Sequence, residues 1–434
     1  MKINKFGISE LIGKRYDYAY LENSRKTKKI HFPTKELKEL LICPPQYGAN
    51  APGIIRKTIG EPRYIRITDI SEGGDLLSGL GVTLKDIQPQ YKLNNDDMLL
   101  ARSGNTVGKS YIHSTEEVPY ECYFAGYMIR FIVNPKEILP QYFFIFTKTS
   151  LYCSWINAVQ RRAGQPNINA QEYSGMQIPL PPLPTQQKIV DIYNKAKKEK
   201  QEKEKESQRL LDEIDTYLLA QLGIELPKEQ QRELIYKVSI SQLLGNKLDV
   251  RGNFNRKRNN SSLKYDEITL ASIASIKKGQ TITRESAKSG DYPVIAGGQT
   301  SPYFHQSYNE LEGAITISAS GAYAGFVWYH DYKFFASDCI IIRSLDEDRV
   351  LTSFLYEILK LKQTEIYLMQ RGAGQPHVYS NDVAKIMIPN VPIVLQNKIV
   401  SYANGLRNHS EEFLREASII MDQARRKIEQ VILN

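Results

Sequence analysis

The chain has 434 residues, 41% hydrophobic and 24% charged, which supplies apolar side chains for real cores and argues against a disordered polypeptide. That length is too great for one ordinary domain and fits two of roughly 150 to 200 residues plus connectors. The formal net charge of +9 favours an anionic partner such as nucleic acid without requiring one. No apolar run reaches the ~18 residues of a membrane span, and the start MKINKFGISE lacks the apolar stretch of a signal peptide, so a cytoplasmic location is expected. Cys43, Cys122, Cys153 and Cys339 show no CxxC spacing and read as separate reduced thiols, mostly in cores.

In chain order, Ser9, Leu11, Gly13, Arg15 and Asp17 come first and return as Ser241, Leu243, Gly245, Lys247 and Asp249. Apolar runs of strand length follow at Tyr64–Ile67, Met98–Leu100 and Tyr127–Val133, bounded by turn formers. A helical spacing that suits two helices covers Leu139 to Val159 and leads into RRAGQPNI and IPLPPLPTQQKIV. From Pro184 to Gly223 no interior proline or glycine interrupts a long helix for which Thr185 is the expected N-cap. The second round has strands at Ala314–Ser318, Gly325–Tyr329 and Asp338–Ile342, two helices within Thr352 to Met369, then RGAGQPHV, IPNVPIVLQNKIV and a second long helix.

The repeat holds register. Gly164-Gln165-Pro166 and Gly374-Gln375-Pro376 stand 210 residues apart, as do Ile178-Pro179 and Ile388-Pro389, and Lys188 to Val190 and Lys398 to Val400. Ser103-Gly104 and Gly108 match Ser320-Gly321 and Gly325 at an offset of 217, and Phe124-Ala125 matches Phe335-Ala336. Drifting offsets mean a shared framework with insertions between its segments. Each module is expected to be α/β (mixed α+β) with a twisted mixed sheet. The long helices carry apolar residues at three- and four-residue spacing: Ile189, Ile192, Leu211, Ile214 and Leu218 in the first; Ile399, Leu406, His409, Phe413, Ile420 and Ile428 in the second. That pattern suits pairing as a coiled coil, although residues 197–206 are almost wholly charged. About forty residues of helix make a rod of roughly 60 Å.

Catalytic signals are thin. His31, His113, His305, His330, His377 and His409 are scattered and form no HExxH or spaced ligand set, and there is no Walker motif, dinucleotide loop or DPPY-like segment. Basic and amide side chains gather instead around glycine turns. Arg56, Lys57, Arg63 and Arg66 lie before and within a strand; Arg102 and Lys109 flank the first Ser-Gly turn; Arg161, Arg162 and Arg371 adjoin the Gly-Gln-Pro turns. Arginine pairs bidentately with guanine edges and glutamine with adenine, while lysine holds phosphates. Gln165 and Gln375 are DNA-contact candidates with an alternative, turn-building role, since glycine and proline fix unusual backbone angles beside them. Tyr323 and His377 can stack on or bond to bases, with a packed or solvent-facing role as the equal alternative.

These residues carry a resemblance. The ordered set LIGKRYDY from Leu11, RSGNTVG from Arg102, AGQPNI from Ala163 and IPLPPLPTQQKIV from Ile178, with the second round of each, is similar to the DNA-specificity subunit of Type I restriction–modification systems. The resemblance implies target-recognition domains at 1–183 and 224–392, the latter with a linker helix. It implies conserved spacer helices at 184–223 and 393–434 that pair antiparallel and separate the two domains. It further implies one half of a bipartite, asymmetric DNA target per domain and docking of two methyltransferase subunits that methylate adenine. Two motor/nuclease subunits complete a restriction complex, with S-adenosylmethionine, ATP and Mg on the partners. A different class, a coiled-coil scaffold joining two protein-binding modules, predicts no sequence-dependent DNA retention.

Overall fold

The computed structural model describes residues 30–86, 88–160, 165–223, 264–372 and 374–433. The matched segments around Leu11 and Leu243, and Arg161 and Arg162, lie outside them. The chain divides into two compact units, one comprising 1–204 with 415–434 and the other 205–414.

In the first unit a four-stranded antiparallel sheet runs Gln46–Tyr47, Met128–Phe131, Met98–Ala101, Ser110–Ile112 in spatial order. Its central strand MLLA is buried throughout, because both faces are covered. Met98 and Leu100 point into a core shared with the helices, and Leu99 points to the other side. There it meets a second sheet, ordered Gly53–Ile55, Val82–Leu84, Arg63–Ile65, Cys122–Phe124, whose last pair is parallel. A two-stranded ribbon, Thr34–Glu36 with Gln177–Pro179, closes the unit.

The second unit repeats this plan. Ala274–Lys278, Cys339–Ser344, Ala314–Ser318 and Val327–His330 form the antiparallel sheet, and Glu267–Thr269 with Met387–Pro389 the closing ribbon. Ile315, Ile317, Ile340 and Ile342 face one core; Ala314, Cys339 and Ile341 face another beneath a three-stranded sheet. Parallel pairing is thus confined to the second sheet of each unit, so the single mixed sheet expected for each module is two sheets back to back. Gly325, at φ +96°, falls before its strand rather than inside it.

Two helices precede each Gly-Gln-Pro turn, as expected, within the stretches Leu139 to Val159 and Thr352 to Met369. Pro140–Phe146 and Ser150–Val159 are separated where the Thr147 hydroxyl bonds back to the Phe144 carbonyl and Thr149 caps the next helix through the Tyr152 N–H. Thr352–Leu361 is likewise followed by a separate Gln363–Tyr367.

The long helices are Leu183–Leu222 and Ile393–Leu433. Thr185 is inside the first one rather than capping it: its N–H, like that of Gln186, bonds to the Pro182 carbonyl. Gln186 and Gln396, both buried, tie the two helix starts to their units by the same three bonds. Gln186 accepts from the Leu139 N–H (2.8 Å) and donates to the Glu137 and Pro181 carbonyls. Gln396 accepts from the Leu351 N–H (2.9 Å) and donates to Arg349 and Val391.

Within the first unit, Ile428 and Ile432 join Ile189 and Val190 in one core, Ile192 packs against it, and Lys203 pairs with Glu416. Within the second, Ser207 meets Ser410 at 2.7 Å and the Tyr402 hydroxyl donates to Glu213. Ile214, Leu218 and Ile399 are core members there, and Leu406 is packed against them. Buried small residues, Ala403, Ser410, Ala417 and Ala424, recur every seventh position of the second helix, while Phe413 and Ile420 are half-buried. Leu211 does not belong to the seam. It is 37% exposed and the buried neighbour is Leu210, because the face continues from Ser207 by three and then four residues. His409 is exposed for the same reason of phase. Of the four cysteines, Cys122 and Cys339 are core residues and Cys43 and Cys153 are exposed, so only half follow the expected burial. No helix among the described residues is long and apolar enough to cross a membrane.

Candidate nucleic-acid interface

The Gly-Gln-Pro segments and the Ser-Gly turns, far apart in sequence, are one structural element. In the first unit the Gly104 N–H donates to the Pro166 carbonyl at 3.0 Å, and the Ile168 N–H to the Arg102 carbonyl at 2.8 Å. In the second, Gly321 N–H donates to Pro376 at 3.0 Å and Val378 N–H to Ala319 at 3.0 Å. Gly104 and Gly321 sit at φ +75° and +87°, in the left-handed region where a side chain is strained. The frame is main chain throughout, so it tolerates exchange of the side chains it displays.

Those side chains differ between the units. Around the first frame, the Arg102 guanidinium lies over the Tyr47 ring at 4.9 Å, and its Nε is buried without a partner. The Arg102 N–H bonds to the carbonyl of Tyr127, whose side chain is 65% exposed. Gln165 is exposed beside Gly104, and its Nε2 stands 3.4 Å from where a Cβ on Gly104 would lie. Around the second frame, the backbone of Arg371 pairs with that of His377 in both directions, at 2.9 and 2.8 Å. This closes a tight turn in which Gly372 (φ +107°) has the Gln375 carbonyl 2.5 Å from any Cβ. Arg371 is salt-bridged to Asp382 at 2.8 Å and half exposed; His377 stacks on Tyr379; Gln375 and Tyr323 face solvent. The structure therefore gathers Arg102 and Gln165 in one unit, and Tyr323, Arg371, Gln375 and His377 in the other.

Four expected contacts stand elsewhere. Arg56 is 1% exposed: its guanidinium donates to the Leu80 and Ile59 carbonyls and covers the Tyr120 ring. Arg63 is buried with it and bonds to Leu77 and Tyr120. Both knit the loop that follows residue 55 to its sheet, which corrects the reading of them as a surface cluster. Arg66 is forked on Asp69, closing a short turn, with its charge held by that carboxylate. Lys109 is mostly buried and paired with Glu72 at 2.9 Å, so it is not an open phosphate ligand in this conformation.

Sequence reading missed Tyr47, Tyr127, Lys278 and Tyr379. Tyr47 and Tyr127 sit beside Arg102, and Tyr379 beside Arg371. The repeat offered a signal for Tyr127, two residues after the matched Ala125. Its counterpart after Ala336 is Asp338, which accepts from the Ala319 N–H as Tyr127 accepts from Arg102. Tyr47 precedes Gly48, which has the Ala125 carbonyl 2.3 Å from a Cβ; exposed Lys278 precedes Gly279, in the same relation to Ser337 at 2.1 Å.

The two units thus hold framed turns built alike, each presenting its own polar and aromatic set. The model of the Type I restriction modification DNA specificity domain matches this chain twice, at residues 58–211 and 263–413. The chain belongs to that family. Its place there is that of a DNA-specificity component rather than a catalyst. A putative type I specificity subunit of Mycoplasma pneumoniae is 29% identical over 153 residues, 34% of this chain and 41% of that protein. The Type I restriction enzyme StySPI specificity subunit of Salmonella potsdam is 23% identical over 358 residues, 76% of this chain and 72% of that protein. Among solved structures, the S subunit of a Type I restriction-modification system from M. genitalium is similar over 93% of this chain and 96% of that one, at 16% identity and a TM-score of 0.46.

Proposed function

We propose that the chain reads a bipartite, asymmetric DNA target, one half-site per unit, and directs adenine methylation and restriction to it. The observation that carries this reading is the duplicated main-chain frame, with Gly104 on Pro166 and Gly321 on Pro376. One scaffold with two side-chain sets suits a reader of two different half-sites. Arg102 with Gln165, and Arg371 with Gln375 and His377, supply the guanidinium, amide and imidazole groups that hydrogen-bond base edges in the major groove. Arg161 and Arg162 adjoin the first frame in sequence and belong to the same proposed contact set. In this reading the two long helices pair antiparallel along their length as a coiled coil, fix the separation of the half-sites and dock two methyltransferase subunits. Two motor/nuclease subunits complete the complex in the cytoplasm. S-adenosylmethionine, ATP and Mg act on those partners, and this chain contributes no catalytic group.

Single-molecule methylome sequencing tests the reading, comparing a host that carries this gene and its neighbouring methyltransferase with the same host lacking this gene. The expected result is a split adenine-methylated motif that disappears on deletion. A motif that persists unchanged sinks the proposal.

A further inference from the structure

The first unit holds a cavity of about 470 Å³. Its walls are the turn Asn105–Lys109, the helix Ser150–Val159, Tyr193 and the Met421–Ile428 face of the second long helix. The repeat explains how it opens. Lys109 and Phe326 are equivalent, since their carbonyls accept from the Ala101 and Ser318 N–H groups at 2.8 and 3.0 Å. Ile156 and Ile366 are equivalent too, each packed against the glycine that precedes those residues. Counting back three residues pairs Cys153 with Gln363. In the second unit Gln363 clamps the Gly325 carbonyl (2.7 Å) and the Val327 N–H (2.9 Å), and the Phe326 ring lies 4.5 Å from the Lys360 ammonium. In the first unit the Tyr152 hydroxyl takes over the bond to Gly108, and Cys153 leaves its thiol in the cavity wall.

The counterpart of Lys360 is Lys148; each stands nine residues after the leucine held by its buried glutamine. Lys148 lines the cavity, with its ammonium over the Phe144 ring at 4.5 Å and one long bond, 3.5 Å, to the Ser110 carbonyl. The carboxylates around it are paired with other cations: Glu72 with Lys109, Asp75 with Lys197 and Asp422 with Arg425, each at 2.9 Å. Burial pulls Lys148 down to about 8, against the through-space pull of Asp75 and Glu72. A half-buried ammonium without its own ion-pair partner stands beside space that an aromatic ring fills in the sister unit, and such a place suits a ligand.

We propose that this cavity is a binding site for a small aromatic carboxylate, with its ring in the space Phe326 occupies in the other repeat and its anionic group on Lys148. The Cys153 thiol reports occupancy directly. Full-length protein is treated with a maleimide in the presence and absence of 3-phenylpropionate, and labelling is followed by peptide mass spectrometry, with exposed Cys43 as the internal reference. Binding is expected to slow labelling of Cys153 about tenfold at saturation and to leave Cys43 unchanged. Lys148→Met and Lys109→Phe should each abolish the protection, the second by filling the cavity as Phe326 does. Lys148→Arg should retain it, and thermal unfolding shows whether each variant folds. Unchanged Cys153 labelling overturns the proposal. So does equal protection by the uncharged 3-phenylpropanamide, or protection that survives both cavity variants.

Discussion

Lys197 and Arg407 occupy the same place in the two repeats, eleven residues beyond Gln186 and Gln396, and each fastens a long helix to its unit. They do so on different terms. Lys197 bonds to Asp75 and Glu117, whose side chains are 43% and 69% exposed. Arg407 grips Glu357, which is 2% exposed, and also covers the Tyr356 ring. Burial holds Glu357 above the usual carboxylate range even with the guanidinium in place. The same topological joint is therefore a screened surface pair in one unit and a desolvated pair in the other.

The largest effect follows from that contrast. Arg407→Met strands a buried carboxylate and should destabilise the second unit by about 3–5 kcal/mol. Lys197→Met should cost the first unit less than about 1 kcal/mol. Urea unfolding at neutral pH measures both, and equal losses would break the comparison. Without its partner, Glu357 has a folded pKa that rises further above the unfolded one. The Arg407→Met defect should thus shrink as pH falls toward the unfolded carboxylate value.

Next in size is a feature the units share. His113 follows the last residue of its strand and His330 ends the matching one, both buried, the first bonded to Tyr111 at 3.0 Å and the second to Thr316 at 2.8 Å. Burial pushes His113 down to about 4 and His330 down to about 3. Below an unfolded value of ~6.5 the unfolded chain takes up protons that the folded chain refuses. Stability is full above that pH and falls as the pH drops toward the folded values, by on the order of 3 kcal/mol per histidine near pH 4. Replacing either histidine by glutamine should flatten about half of that slope; an unchanged acid transition in both variants would show that the two sites do not govern it.

Smaller and more local effects separate the proposed reading edges. Arg371→Ala should cost about 1–3 kcal/mol of discrimination at one half-site, and Arg102→Ala a similar amount at the other, in competition binding with mutated targets. Crossed effects would deny the one-unit, one-half-site scheme. Smallest is Lys278→Ala, expected to lower the salt slope of binding by about one, with no change in sequence preference, while Tyr47→Phe leaves the slope alone.

Much of the plan was legible because the molecule says it twice. The strand Ala314–Ser318 and the start of the second long helix follow from an apolar run and from the proline segment that stops one element and starts the next. His113 and His330 stand at the offset of 217 that also relates Gly108 to Gly325, a pairing that reading six histidines as scattered overlooks. What stayed hidden depends on depth rather than pattern. Arg56 and Arg66 look alike in a basic stretch, yet one is swallowed by loop carbonyls and the other forked on a carboxylate at the surface. Leu210 and Leu211 are one step apart on a helix, about 100°, and spacing alone does not choose between them.

Main-chain closure has a consequence for how such a chain diversifies. A turn fastened by Gly104 to Pro166, and by Gly321 to Pro376, keeps its shape whatever neighbouring residues display. Substitutions at Arg102, Tyr127 or Gln165 then change what the surface presents at little folding cost, and under the proposed function drift at these positions is filtered by recognition alone. The positions free to vary and the positions that hold the fold are different atoms of the same short segments, so new vocabularies can be tried without rewriting the grammar.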